Sequence, residues 1–212
     1  MINKSLRGVG VGALMGIALF TASDASAGPI GSEVGPNLVT NGGFEATSTV
    51  AGSGWTVSGF LSEGFDYFID TFPADAHSGT HSFGGGGIGA LGFISQAIAT
   101  TAGQNYNIHL WLANPSGFAD STEIQVLWGG SVVYDATDIL GFGYREIVID
   151  PTATSGSTTL SIGLRDDSFF LNVDDVAVYA TTAAPEPATL ALLGLGLAGL
   201  AVARRRKLRT AA

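Results

Sequence analysis

The sequence predicts an all-β fold, a single β-sandwich of the jelly-roll kind, with an apolar helical segment at each end of the chain. Three observations carry this. Between residues 28 and 184, several stretches alternate apolar and polar side chains at period two. Glycine-rich turns separate those stretches at short intervals. No window in that region has an apolar stripe at helical spacing, whereas uncharged apolar runs stand near both ends of the chain.

The elements follow in order. Lys4 and Arg7 precede the apolar run Val9 to Phe20, and Ala25-Ser26-Ala27 offers a small-residue cleavage site. Residues 1–27 therefore read as a secretory signal peptide, outside the fold. Residues 28–36 read as a linker and 37–180 as the β-sandwich domain. Its candidate strands are Asn37 to Thr40, Trp55 to Ser58, Thr80 to Gly84, Gly92 to Ala99, Tyr106 to Leu112 and Glu123 to Trp128. Ser131 to Tyr134, Tyr144 to Ile149, Leu160 to Leu164 and Phe169 to Tyr179 complete the set. Turns at Asn41-Gly42-Gly43, Asn114-Pro115-Ser116-Gly117, Gly129-Gly130 and Ser155-Gly156 divide them. Residues 181–187 read as a second linker. Residues 188–203 are uncharged and rich in Ala, Leu and Gly, slightly short of the ~20 residues of a usual transmembrane helix. The basic tail, residues 204–212, belongs on the cytoplasmic side.

Charge narrows the function. With both end segments removed, two basic residues, Arg145 and Arg165, and sixteen acidic ones remain, a net charge of −14. Such a surface repels phosphate backbones, so no nucleic-acid partner is expected. The chain has no cysteine, which excludes disulfides, thiol nucleophiles and cysteine metal sites.

Several motifs carry little. The glycine run Gly84 to Gly87 lacks the lysine and following helix of a phosphate loop, and reads as a turn or close backbone packing. His77 and His81 have zinc-ligand spacing, but Ser-Gly-Thr between them reads as a turn rather than a helix. No Gly-x-Ser-x-Gly elbow is present, and no residue is assigned a catalytic role. Paired carboxylates for glycoside hydrolysis stay open as an alternative, since acids are plentiful. Trp55 reads as core. Trp111 alternates against Tyr106, Ile108, Leu110 and Leu112 and points to the other face of its strand. Phe65-Asp66-Tyr67-Phe68 reads as a loop carrying rings and acids together. The candidate ligand-binding residues are Trp111, Tyr67, Phe118 and Asp120, because aromatic faces stack on sugar C–H faces.

Pro185-Glu186-Pro187, the apolar segment and the block Arg204-Arg205-Arg206-Lys207 stand in a fixed order. This tail resembles the PEP-CTERM sorting signal of Gram-negative bacteria that secrete exopolysaccharide. The resemblance implies an exosortase as processing partner, cleavage near Pro185-Glu186-Pro187, and a transient stay in the inner membrane before the cell surface or extracellular matrix. A second resemblance rests on Asn41-Gly42-Gly43-Phe44-Glu45, Gly54-Trp55-Thr56-Val57, His77-Ser78-Gly79-Thr80-His81-Ser82 and Asn172-Val173-Asp174-Asp175-Val176. In that order they look like the galactose-binding-like jelly roll shared by several carbohydrate-binding modules. That resemblance implies sugar binding or adhesion and, as in many members, a structural calcium ion; together with the sorting signal it makes extracellular polysaccharide the expected partner.

Calcium also has a physical argument. Asp174 and Asp175 are neighbours in a strand, so their side chains are expected on opposite faces, with one carboxylate facing inward. A buried carboxylate is costly unless paired or bound to metal. The candidate metal ligands are Glu45, Asp174 and Asp175, with Gly43 on the turn that carries Glu45 and carbonyls from Ser78-Gly79. The competing expectation is that the aspartates cap backbone groups or pair with arginine. The functional expectation is an exported, non-catalytic protein that binds carbohydrate. A ligand-free structural matrix protein and a small glycan-active enzyme are the alternatives.

Overall fold

The computed structural model describes residues 32–60, 63–116 and 121–182. The signal peptide, the apolar segment 188–203, the basic tail, Phe118 and Asp120 lie outside the described residues. Those described contain eleven strands and no helix.

The strands are β1 (Glu33–Val34), β2 (Thr56–Ser58), β3 (Tyr67–Asp70), β4 (Ser82–Gly85), β5 (Gly92–Ala99) and β6 (Tyr106–Asn114). They continue as β7 (Glu123–Trp128), β8 (Ser131–Thr137), β9 (Phe142–Ile149), β10 (Ser157–Arg165) and β11 (Leu171–Thr181). Two antiparallel sheets form. The first runs β3-β4-β11-β6-β9, with β1 added to the far end of β11. The second runs β2-β5-β10-β7-β8. The chain switches sheets repeatedly, which is the jelly-roll β-sandwich the alternation predicts.

Period-two patterning decides which side chains fill the space between the sheets. Ile108, Leu110 and Leu112 of β6 meet Ile124 and Val126 of β7, Leu160, Ile162 and Leu164 of β10, and Leu171, Val173 and Val178 of β11 in one buried cluster. Trp55 is core, as expected. Its ring stacks on Phe44 at 5.7 Å, and its Nε1 donates to Asn41 O at 3.1 Å.

Three local expectations change. Asn37 to Thr40 is not a strand. It crosses β11 with one backbone bond, Leu38 N to Val178 O, because the Asn37 carboxamide occupies the neighbouring donors Val39 N and Val178 N. β1 instead forms inside the stretch read as a linker, and pairs Glu33 and Val34 with Thr181 and Ala180. Tyr67 and Phe68 belong to a strand, β3, rather than to a loop.

Candidate functional site

The outer face of the first sheet is built by register. Trp111 lies opposite Asp174 of β11 and Glu146 of β9. Ala113 lies opposite Asn172, and Asn172 opposite Gly84. The β3–β4 segment, residues 71–81, folds over this face. Its Asp75 carbonyl accepts hydrogen bonds from Tyr144 Oη at 2.7 Å, Ser82 Oγ at 3.2 Å and Asn172 Nδ2 at 3.5 Å. The Tyr144 hydroxyl is pushed up to about 12, first by burial and then by the charges of Asp174 and Asp70.

Beside this crossing lies an open cleft of about 390 Å³, lined by Asp75, Asn114, Phe142, Tyr144 and Asn172. Among the described residues it offers aromatic faces, carboxamides and one carboxylate, and no basic side chain. That mixture suits a neutral hydroxyl-rich ligand.

Next to the cleft, carboxylates converge. The register of β11 on β6 shifts between Asp174 and Ala177, a β-bulge, and Asp175 adopts φ +46°. The bulge overturns the expectation that the two aspartates point to opposite faces. Both reach one turn, His77-Ser78. Asp174 is fully buried, and its Oδ2 accepts His77 N at 2.8 Å and Ser78 N at 3.1 Å. Its Oδ1 accepts Asp175 N at 2.7 Å. Asp175 Oδ2 meets His77 Nδ1 at 2.7 Å, and its Oδ1 accepts from Ser78 Oγ at 2.9 Å. Burial is the largest influence on Asp174. It lifts the carboxyl to about 6 against the opposing backbone N–H groups, and the Asp175 charge adds to the rise.

Glu45 anchors the following residues. Its Oε1 accepts Thr80 N and His81 N, and its Oε2 accepts Thr80 Oγ1 and meets His81 Nδ1 at 2.8 Å. Burial alone would raise its pKa, but these hydrogen bonds outweigh burial and hold it at about 2. A glycine makes room for Glu45. A Cβ on Gly79 would stand 2.1 Å from Glu45 Oε1, and the residue has φ +63°. A Cβ on Gly43 would stand 3.4 Å from Asp175 Oδ1 and 3.8 Å from Asp174 Oδ1.

Of the two expectations for the aspartates, backbone capping is present and arginine pairing is not. Arg165 is bonded to Asp167, and the Arg145 guanidinium lies 4.6 Å from the Phe142 ring centroid. The donor set around Gly43 is all oxygen on the carboxylate side, which is the chemistry of a hard cation. Among the described residues no three His, Asp or Glu side chains are placed to hold one ion. A calcium ion would therefore draw on backbone carbonyls as well.

Of the predicted ligand residues, Trp111 and Tyr67 do not come together, and Phe118 and Asp120 lie outside the described residues. Trp111 is on the outer face, as the alternation requires, but the His77 ring stacks on it at 3.7 Å and 13°. Tyr67 faces the other way. Its ring packs on Phe60 at 5.2 Å and on Phe83 at 6.4 Å, at the margin of the core. Sequence reasoning missed Asp75, Phe142, Tyr144 and Asn172 as cleft residues. Tyr144 was expected only as the start of a strand, and the fold over of residues 71–81 that brings it to Asp75 has no periodic signal. The sorting residues Pro185, Glu186, Pro187, Arg204, Arg205 and Arg206 lie outside the described residues.

Comparison with known proteins bears on both parts of the chain. Residues 183–207 match the PEP-CTERM protein-sorting motif. No curated protein sequence matches the chain. Among solved structures, TmCBM61 in complex with β-1,4-galactotriose aligns at TM-score 0.52 and 17% identity, over 69% of this chain and 99% of that one. The enzymatically active domain of bacteriophage CBA120 tailspike protein 4 aligns at 0.50 and 15% identity, over 68% of this chain and 21% of that one. The CBM22-1 xylan-binding domain of Paenibacillus barcinonensis Xyn10C aligns at 0.48 and 15% identity, over 72% and 99%. The chain thus joins a β-sandwich with the fold of TmCBM61 to a PEP-CTERM protein-sorting motif.

Proposed function

We propose that the protein is exported, processed by an exosortase, and binds a neutral extracellular polysaccharide through the outer face of the β3-β4-β11-β6-β9 sheet. The observation that carries this is the cleft of about 390 Å³ with Phe142, Tyr144, Asn114, Asn172 and Asp75 in its wall. Rings supply stacking faces, and polar groups of the Asp75 and Asn172 wall supply hydrogen-bonding partners for hydroxyls. Its open form suits an internal stretch of polymer. The solved TmCBM61 is a galactotriose complex on a similar fold, and this supports a glycan as the ligand class. The export route is supported by the sorting motif at 183–207, with the inner membrane as a transient station and the cell surface or matrix as the destination.

Among the described residues the cleft wall includes a single carboxylate, Asp75, whereas glycoside hydrolysis uses a pair, and this supports binding over glycan cleavage. A structural calcium ion is part of the same reading. Glu45 and Asp175 would hold it with carbonyls near Gly43 and the Ser78-Gly79 turn, and it would supply the positive charge that this acidic corner lacks. The test is titration of neutral oligosaccharides into the protein and into Phe142→Ala, which removes a stacking face. Binding weakened about tenfold, ~1.4 kcal/mol, is expected. No binding of any neutral glycan, with calcium present, would overturn the proposal and leave the ligand-free structural role.

A further inference from the structure

A second pocket, of about 140 Å³, sits where the β10–β11 turn meets the chain before β3 and after β4. It shares no lining residue with the outer-face cleft. Asp166 lines it and is only 1% exposed. Its Oδ1 accepts Ser168 N at 3.0 Å and Phe169 N at 2.8 Å, which shapes the turn. Its Oδ2 is buried with no hydrogen-bond partner among the described residues. A buried carboxylate oxygen without a donor or counter-charge is unfavourable, and native structures seldom keep one without a use. The adjacent guanidinium does not relieve it. Arg165 Nε and Nη2 are both bonded to Asp167, at 2.9 and 2.8 Å, and Asp167 also accepts Gly89 N.

The rim is apolar and exposed. Phe65 is 81% exposed, Ile88 64% and Phe169 50%. Phe169 in turn packs on Phe170 at 5.4 Å, so two rings stand together at the pocket wall. Exposed rings around an uncompensated carboxylate make a site for a cation, because ring faces attract positive charge and the carboxylate accepts its N–H groups. A metal ion would not use the rings, and a neutral hydroxyl would leave the charge unbalanced. The domain's net charge of −14 favours a cationic ligand further.

We propose that this pocket binds an ammonium group carried on a sugar, a free amino-sugar residue of a partly deacetylated polysaccharide. The protein then has two glycan contacts of different chemistry, a neutral one on the sheet and a cationic one at the loop end. This site stands or falls independently of the sheet cleft.

The test titrates a glucosamine tetramer and an N-acetylglucosamine tetramer into the full exported protein at about pH 6, where amines are protonated. Salt at about 0.15 M limits charge effects to roughly 8 Å and removes the diffuse attraction of the acidic surface. Asp166→Asn keeps the acceptor that caps Ser168 and Phe169 while removing the charge. Phe65→Ala alters a side chain that is already exposed, so it tests the site even if the first variant misfolds. Asp135→Asn removes a charge elsewhere. The glucosamine tetramer is expected to bind at least tenfold more tightly than its acetylated form. Asp166→Asn and Phe65→Ala are expected to abolish that preference, and Asp135→Asn to retain it. Equal affinity for the two tetramers would overturn the proposal. So would undiminished binding in folded Asp166→Asn or in Phe65→Ala, or equally tight binding of a lysine peptide.

Discussion

Replacing Asp174 by Asn perturbs the most buried acid of the candidate site. The wild-type carboxyl is fully buried, and its folded pKa is raised from the ordinary 3.8 to about 6. A raised carboxyl pKa means the folded state binds this proton more tightly than the unfolded state. The resulting stability is fully present below about pH 4 and is lost as pH rises through about 6. The full difference is about 3 kcal/mol, since each tenfold change in proton affinity is ~1.4 kcal/mol. For a domain of this size that corresponds to a fall of roughly 6–12 °C in Tm between pH 4 and pH 7. Asn carries no charge, so the variant lacks this decline. The substitution has its own cost that does not vary with pH, because an amide NH2 must face one of the backbone donors His77 N, Ser78 N or Asp175 N. The informative quantity is therefore the difference in slope between the two proteins. Thermal unfolding with chelator present, at intervals from pH 4 to pH 7, measures it. Parallel curves for wild type and Asp174→Asn would refute the claim that burial destabilises this carboxylate.

Three further outcomes are expected. Gly42→Ala places a Cβ 1.9 Å from Val176 O and breaks the bond from Val176 N to Gly42 O, so it should cost about 2–4 kcal/mol in denaturant unfolding. Burial alone lowers the His109 pKa, but hydrogen bonds and charges from Glu146 and Glu33 raise it overall. Its contribution is thus present below about pH 6.5 and lost as pH rises through the folded value. Since Glu33 lies in β1, the protection of Val34 relative to its free-amide exchange rate should fall as pH rises through the folded His109 value in wild type, and His109→Gln should remove that fall in protection. Adding calcium to chelator-treated protein should raise Tm, by about 2.7 kcal/mol of stability at a hundredfold excess over Kd, and Asp175→Asn should remove the rise. An unchanged Tm would argue against the ion.

The sandwich was legible because both sheets carry buried and exposed residues at period two. β5 runs over the same residues, Gly92–Ala99, that the alternation indicated. β1 was hidden because a two-residue strand carries no period, and its pairing with Thr181 and Ala180 spans nearly the whole domain. β3 was hidden because Tyr67 and Phe68 are both aromatic although they face opposite sides of the sheet. Phe68 covers Gly84, which sits opposite Asn172 on the outer face, while Tyr67 packs on the core side. The acid cluster was legible in composition, since sixteen acids share two arginines, but its geometry was not. A bulge at Asp175 turns both aspartates to one turn, and nothing in Val173-Asp174-Asp175-Val176 announces it. His77 was set aside as a zinc ligand for its turn-like neighbours, and those neighbours are what deliver its ring to Trp111 and Asp175.

The central claim is that the outer face of the β3-β4-β11-β6-β9 sheet is a glycan-binding surface. Nuclear magnetic resonance mapping of the protein during titration with a neutral oligosaccharide tests it most directly. Saturable shifts gathered at Asp75, Asn114, Phe142, Tyr144 and Asn172 are the predicted result. Shifts confined to another face, or none at saturating neutral glycan, would contradict it.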